Sequence, residues 1–221
     1  LKEQSKKGIE LLTALLKSPN YTQDTLNKLK TMQTGSLKRK ENDFDYVANN
    51  QLKSVLFKGT TLENSAAGTI ESISKIELKD IENFISQTVC LENLIIVAGG
   101  DFELKEFEKL VKPLLETLNV GKKAQLEEVN FISKKEEKVL IKDTQQAYIY
   151  FGSSFNINSK DEENYKAKVA SFILGGSGFG SRLMEEIRVK RGLAYSAYGA
   201  ISINKSHSYF NGYLQTKNET A

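Results

Sequence analysis

Apolar residues in the first half of the chain recur at helical spacing. Ile9, Leu12, Leu15 and Leu16 form a stripe that stops before Pro19, and Leu26, Leu29, Met32 and Leu37 carry the pattern through a second helix. Val47, Leu52, Val55 and Leu56 predict a third helix over 43–57, followed by a Gly- and Ser-bearing loop over 58–69 and a helix over 77–87. Leu94-Ile95-Ile96-Val97-Ala98 has the length and composition of a buried strand, broken by Gly99-Gly100. Asp101 then stands where it can cap a helix whose stripe is Leu104, Phe107, Leu110 and Leu114/Leu115.

The stretch 119–136 is charged and aperiodic, the pattern of a linker. Beyond it the spacing changes. Val139–Ile141 and Ala147–Phe151 read as strands, and 161–174 reads as a helix with Tyr165, Val169, Phe172 and Ile173 inward. A glycine cluster follows, then a helix over 181–190 with Gly192 suited to a positive φ at its end. Two alternating runs, Ala194–Ile203 and Ser208–Thr216, predict a hairpin. The expected class is α+β, divided into 1–118, a linker at 119–136, and 137–221.

Composition narrows the function. A hydrophobic fraction of 39% with 27% charged residues is that of a soluble globular protein. No apolar run approaches the ~18 residues of a membrane span. The net charge of +3, from 31 basic and 28 acidic residues spread along the chain, does not argue for nucleic acid as a partner. Cys90 is the sole cysteine and forms no internal disulfide, so it does not reveal the compartment, and localisation stays open. His207 is the sole imidazole, within the polar stretch Asn204–Ser208, where a solvated loop is expected. Zinc sites generally draw on several His or Cys ligands, and the chain offers at most one of each, so no metal or other cofactor is expected in this chain. The chain begins at Leu1, already inside a helical pattern, which suggests a piece of a longer protein.

Of 31 basic residues only four are arginines, and Arg182, Arg188 and Arg191 fall within ten residues. Arg supplies a rigid, always-charged donor fork suited to carbonyl and carboxylate oxygens. The preceding glycines follow a helix instead of a strand, and the spacing Gly176-x-Gly178-x-Gly180 fits neither a dinucleotide fingerprint nor a P-loop. Two readings remain for Arg188 and Tyr195. They hold a peptide carbonyl or a developing oxyanion together, or Arg188 pairs with Glu185 or Glu186 while Tyr195 joins the core.

The run Gly175-Gly176, Phe179-Gly180-Ser181-Arg182-Leu183, Glu186-Ile187-Arg188 and Arg191-Gly192-Leu193-Ala194-Tyr195-Ser196 resembles the pitrilysin/insulinase-like zinc metallopeptidases, which include the mitochondrial processing peptidases. The likeness is to their non-catalytic half and continues upstream through Gly68–Ile73 and Leu94–Phe102. The resemblance implies a clam-shell of related α/β units, each a mixed or antiparallel sheet with helices on one face. On this basis 1–118 is the latter part of a first metallopeptidase-like domain, and 137–221 begins the second, non-catalytic one.

In that family one half holds zinc on an inverted H-x-x-E-H helix with a downstream Glu. The other half supplies an Arg and a Tyr, seven residues apart, that grip substrate backbone and oxyanion. Arg188 and Tyr195 match that pair in type and spacing. Gly176, Gly178, Phe179, Gly180 and Ser181 would be a substrate rim, or the turn that places the next helix. The family's downstream glutamates fall near Leu29 and Ser36, where no carboxylate stands. The implied protein is a non-catalytic, peptide-binding part serving a zinc-bearing domain or subunit, as a homo- or heterodimer. A pseudopeptidase scaffold is the alternative. Because such a chain cuts through domains, unsatisfied sheet edges, or pairing between its two units, are expected as well.

Overall fold

In a computed structural model, residues 2–129, 131 and 135–221 are described, and they form two compact units. The first comprises residues up to Thr34 and Ile70–Gln125, the second Gly35–Thr69 and Leu126–Ala221. Positions 130 and 132–134 of the expected linker lie outside the described residues.

The first unit is helical. It contains α1 (Ser5–Lys17), most of α2 (Gln23–Lys40), α4 (Ile70–Lys75), α5 (Leu78–Thr88) and α6 (Leu104–Leu115), with α1 packed on α6. A capping box fixes the start of α5: the Glu77 side chain accepts from the backbone of Asp80, and the Asp80 carboxylate accepts from Glu77 N–H at 2.8 Å. Helix α6 starts at Leu104 with Glu103 before it, two residues beyond the Asp101 expected as its cap.

The expected strand Leu94–Ala98 does not form. The segment belongs to no helix and to no sheet among the described residues. Val139–Ile141 in the second unit is likewise unpaired. Propensity favours a strand at both segments, but a strand needs a partner ladder, and none is present among the described residues.

The second unit is built on an antiparallel sheet in the order β1-β3-β2, from β1 (Gln146–Ser154), β2 (Ala194–Ile203) and β3 (Ser208–Lys217). The class is therefore mixed α and β with a small antiparallel sheet, as the patterning implies. Ala197, Gly199, Gly212 and Leu214 share one face by register, and Tyr198, Tyr213 and Tyr150 share the other. On the first face, Gly175 meets the backbone of Gly199, and Met184 lies under Ala197, whose N–H donates to its sulfur at 3.4 Å. On the second, α3 (Phe44–Leu56) rests on β1: Leu52 lies against Gly152, and Tyr150 donates to Asp45 at 2.8 Å. Tyr150, Tyr213 and Tyr198 stack across the three strands at 5.5 and 5.6 Å.

Helix α7 (Asn164–Ser171) continues as a π-helical turn, Phe172–Gly176. Its buried face differs from the expected one. Ala167, Ser171 and Gly175 face the sheet, while Tyr165, Val169, Phe172 and Ile173 are exposed. The reason is closeness of approach. The Ser171 hydroxyl accepts from Ile201 N–H at 3.0 Å, and a Cβ on Gly175 would collide with the Gly199 backbone, so only the small-residue face fits.

Candidate functional site

Gly178 has a φ of +64°, and a short 3₁₀ turn over Gly178–Gly180 swings the chain from α7 into the next helix. Ser181 then starts that helix, its hydroxyl accepting from Met184 N–H at 3.3 Å. Ser181 is 0% exposed, so of the residues expected on a substrate rim it is the one whose hydroxyl is spent inside the fold. Gly176, Gly178, Phe179 and Gly180 all lie on the surface.

The following helix is π-helical over Met184–Val189. Wider winding accompanies Met184 in the core and Arg188 at half-burial beside the start of β2. Phe179 is 68% exposed, on the surface where a substrate rim is expected. The 3₁₀ turn carries it outward, and the Arg188 guanidinium carbon lies 4.8 Å from its ring centroid.

Arg188 Nη1 donates to the Tyr195 carbonyl at 2.6 Å. Glu186 instead pairs with Lys190 at 2.6 Å and Arg191 at 3.6 Å, and the Lys190 ammonium holds the Glu186 carboxyl below its ordinary pKa. Among the described residues no carboxylate pairs with Arg188, so the rest of its fork is uncommitted.

Tyr195 sits at a bulge. Ala194 opposes Thr216 and Ser196 opposes Gln215, leaving Tyr195 as the extra residue. The bulge takes its side chain out of the core, and it is 54% exposed. Beside it, the buried Ser196 hydroxyl has no hydrogen-bond partner among the described residues. Arg188 thus meets the Phe179 ring and the main chain, not the phenol, of Tyr195. The Phe179 ring beneath Arg188 and the Ser196 hydroxyl were not legible in those roles, because a π-helix and a bulge shift the register on which spacing arguments depend.

His207 is half-buried, not solvated. Its Nδ1 lies 2.8 Å from Ser206 Oγ, and its ring stacks on Tyr209 at 5.8 Å and meets Phe57 edge-on at 5.5 Å. Burial pushes its pKa below the ordinary value. Cys90 is buried, receiving a hydrogen bond from Asn93 Nδ2 at 3.3 Å. Among the described residues no three His, Cys, Asp or Glu side chains gather as metal ligands, and α2 carries Leu29 and Ser36 without a carboxylate at either. These residues do not fit zinc. Among the described residues no helix is long and apolar enough to cross a membrane.

The second unit is thus a small antiparallel sheet backed by π-wound helices, with Arg188 and the bulged Tyr195 beside one another at its surface. Residues 75–221 match the model of the Peptidase M16 inactive domain, and the chain belongs to that family. It is 46% identical over 220 residues to the non-peptidase homolog YmxG of Helicobacter pylori, covering 100% of this chain and 51% of that protein. The crystal structure of a peptidase M16 inactive domain from Pseudomonas fluorescens is similar with a TM-score of 0.89 at 23% identity, covering 96% of this chain and 51% of that one. A protease structure from Helicobacter pylori is similar with a TM-score of 0.82 at 19% identity, covering 98% of this chain and 54% of that one. The chain spans about half the length of these relatives.

Proposed function

We propose that this domain grips the main chain of a peptide substrate on behalf of a zinc-bearing M16 half or subunit, with which it forms a dimer or a joined pair. The observation that carries this reading is the arginine fork fastened between the Tyr195 carbonyl and the Phe179 ring, with no carboxylate to neutralise it among the described residues. Arg188 donates to a substrate carbonyl. The Tyr195 phenol donates to the oxyanion as charge develops there, so its contribution falls on the transition state more than on ground-state binding. Gly178 and Gly180 leave room for backbone to approach, and Phe179 lends an apolar edge. Zinc and its hydrolytic water belong to the partner in this reading.

Co-expression with a zinc-bearing M16 subunit, followed by a peptide-cleavage assay, tests it. Arg188→Ala and Tyr195→Phe should each lose about a hundredfold in rate, the scale of an oxyanion donor. Wild-type rates in both would favour a second reading, a scaffold with no part in the chemistry. The non-peptidase name of the Helicobacter pylori relative supports that reading.

A further inference from the structure

A cavity of about 440 Å³ lies in the second unit, lined by the turn between β2 and β3, the segment that follows β1, and residues of 128–131. Small-molecule sites occupy about 300–1,000 Å³ and combine apolar walls with a few placed polar groups. Here Val129, Phe131, Phe155 and Ile157 supply the apolar surface, and Glu128 and His207 stand beside them.

The three segments are tied together around this space. Val129 N–H donates to the Ser206 carbonyl at 2.8 Å, and Phe155 N–H donates to the Ser208 carbonyl at 3.2 Å. Asn158 Nδ2 donates to Glu128 Oε1 at 3.2 Å. The Phe131 ring meets Phe57 edge-on at 4.7 Å, and Phe57 is buried, so that wall is anchored in the core. A cavity held in this way needs little ordering when a ligand enters.

The lining also selects by charge. Glu128 is its only ionised side chain at neutral pH, and among the described residues no cation pairs with that carboxylate. His207, packed against Phe57 and Tyr209, is kept neutral by burial, so it does not repel a positive ligand. An anion meets the Glu128 carboxylate as a like charge, and a neutral molecule gains no ion pair from it. Ser208 lines the same cavity, and its buried hydroxyl has no hydrogen-bond partner among the described residues.

We infer that this cavity binds a small primary amine with an aromatic body, the ammonium on Glu128 and the ring against Phe131 and Phe155. The inference is independent of Arg188 and Tyr195.

The test is an NMR titration of the chain with phenethylamine, set beside N-acetylphenethylamine, which lacks the charge, and 3-phenylpropanoate, which reverses it. Phenethylamine should shift the amides of Val129, Phe155 and His207 saturably and bind about fivefold or more tightly than the acetyl compound, the scale of a partly exposed ion pair. The propanoate should bind most weakly. Glu128→Gln should abolish the preference for the amine while the acetyl compound binds as before, which separates a lost ion pair from a lost cavity. Arg188→Ala should bind phenethylamine as wild type does. No saturable shift at these amides, equal affinity for the amine and its acetyl derivative, or a preference that survives Glu128→Gln overturns the inference.

Discussion

Arg188 is fastened to the main chain of Tyr195, not to its ring: Nη1 donates to the carbonyl oxygen at 2.6 Å. The phenol is therefore free of the guanidinium that its own backbone helps to aim. The Phe179 ring, 4.8 Å from the guanidinium carbon, holds the fork from a second direction. A donor held in this way loses less conformational entropy when a ligand arrives. Phe179→Ala should weaken peptide binding by about two- to fivefold, the range of an exposed cation–π contact, with little change in urea stability. An unchanged affinity would show that Arg188 needs no support from the ring.

Gly175 and Gly178 are glycines for different reasons. A methyl at Gly175 runs into the Gly199 backbone, whereas Gly178 has open space but a φ of +64°. Gly175→Ala should cost about 1–3 kcal/mol or more through overpacking, and Gly178→Ala about 1 kcal/mol through backbone strain. Denaturant midpoints give both values, and a cost well below 1 kcal/mol at Gly175 would contradict the close approach of its backbone to Gly199.

Two groups give the second unit a pH signature. Burial lowers the His207 pKa, so the folded state binds its proton less readily than the unfolded chain does. The stability this contributes is present above about pH 6.5, the unfolded value, and is lost as pH falls through the folded pKa. Burial, then the hydrogen bond to Asp45, raises the Tyr150 pKa well above the ordinary phenol value. Its contribution is complete below about pH 10 and is lost as pH rises further. His207→Gln should flatten the acid limb of a stability profile, and Tyr150→Phe the alkaline limb. The latter should also cost about 1 kcal/mol at neutral pH for the lost hydrogen bond.

Much of this was legible in the sequence. Helices α1 to α3, the hairpin of β2 and β3, and the turn at Gly192 (φ +62°) lie where periodicity and glycine placement put them, although Leu12, Leu15, Leu29 and Met32 of the expected stripes are exposed. The clustering of arginines also pointed to the segment that carries the candidate site. Two kinds of feature were not legible. Leu94–Ala98 reads as a strand because its side chains are those of one, but pairing is a property of the neighbour, which local pattern does not encode. The buried face of α7 departs from its apolar stripe because hydrophobicity singles out Tyr165, Val169 and Phe172, whereas contact distance at the sheet selects Ala167, Ser171 and Gly175. Small residues carry little hydrophobic signal, yet they decide which face approaches.

The central claim is that Arg188 and Tyr195 act on one polypeptide main chain, the first by binding it and the second by stabilising charge that develops on it. The most direct measurement is equilibrium binding of a fluorescent unfolded peptide to the protein and its two variants, set beside cleavage rates with a zinc-bearing subunit. Arg188→Ala should weaken binding at least about tenfold, while Tyr195→Phe should bind within about twofold of wild type and lose its effect only in kcat. Wild-type affinity in Arg188→Ala, or a Tyr195→Phe variant that matches wild type in both binding and turnover, would contradict the account.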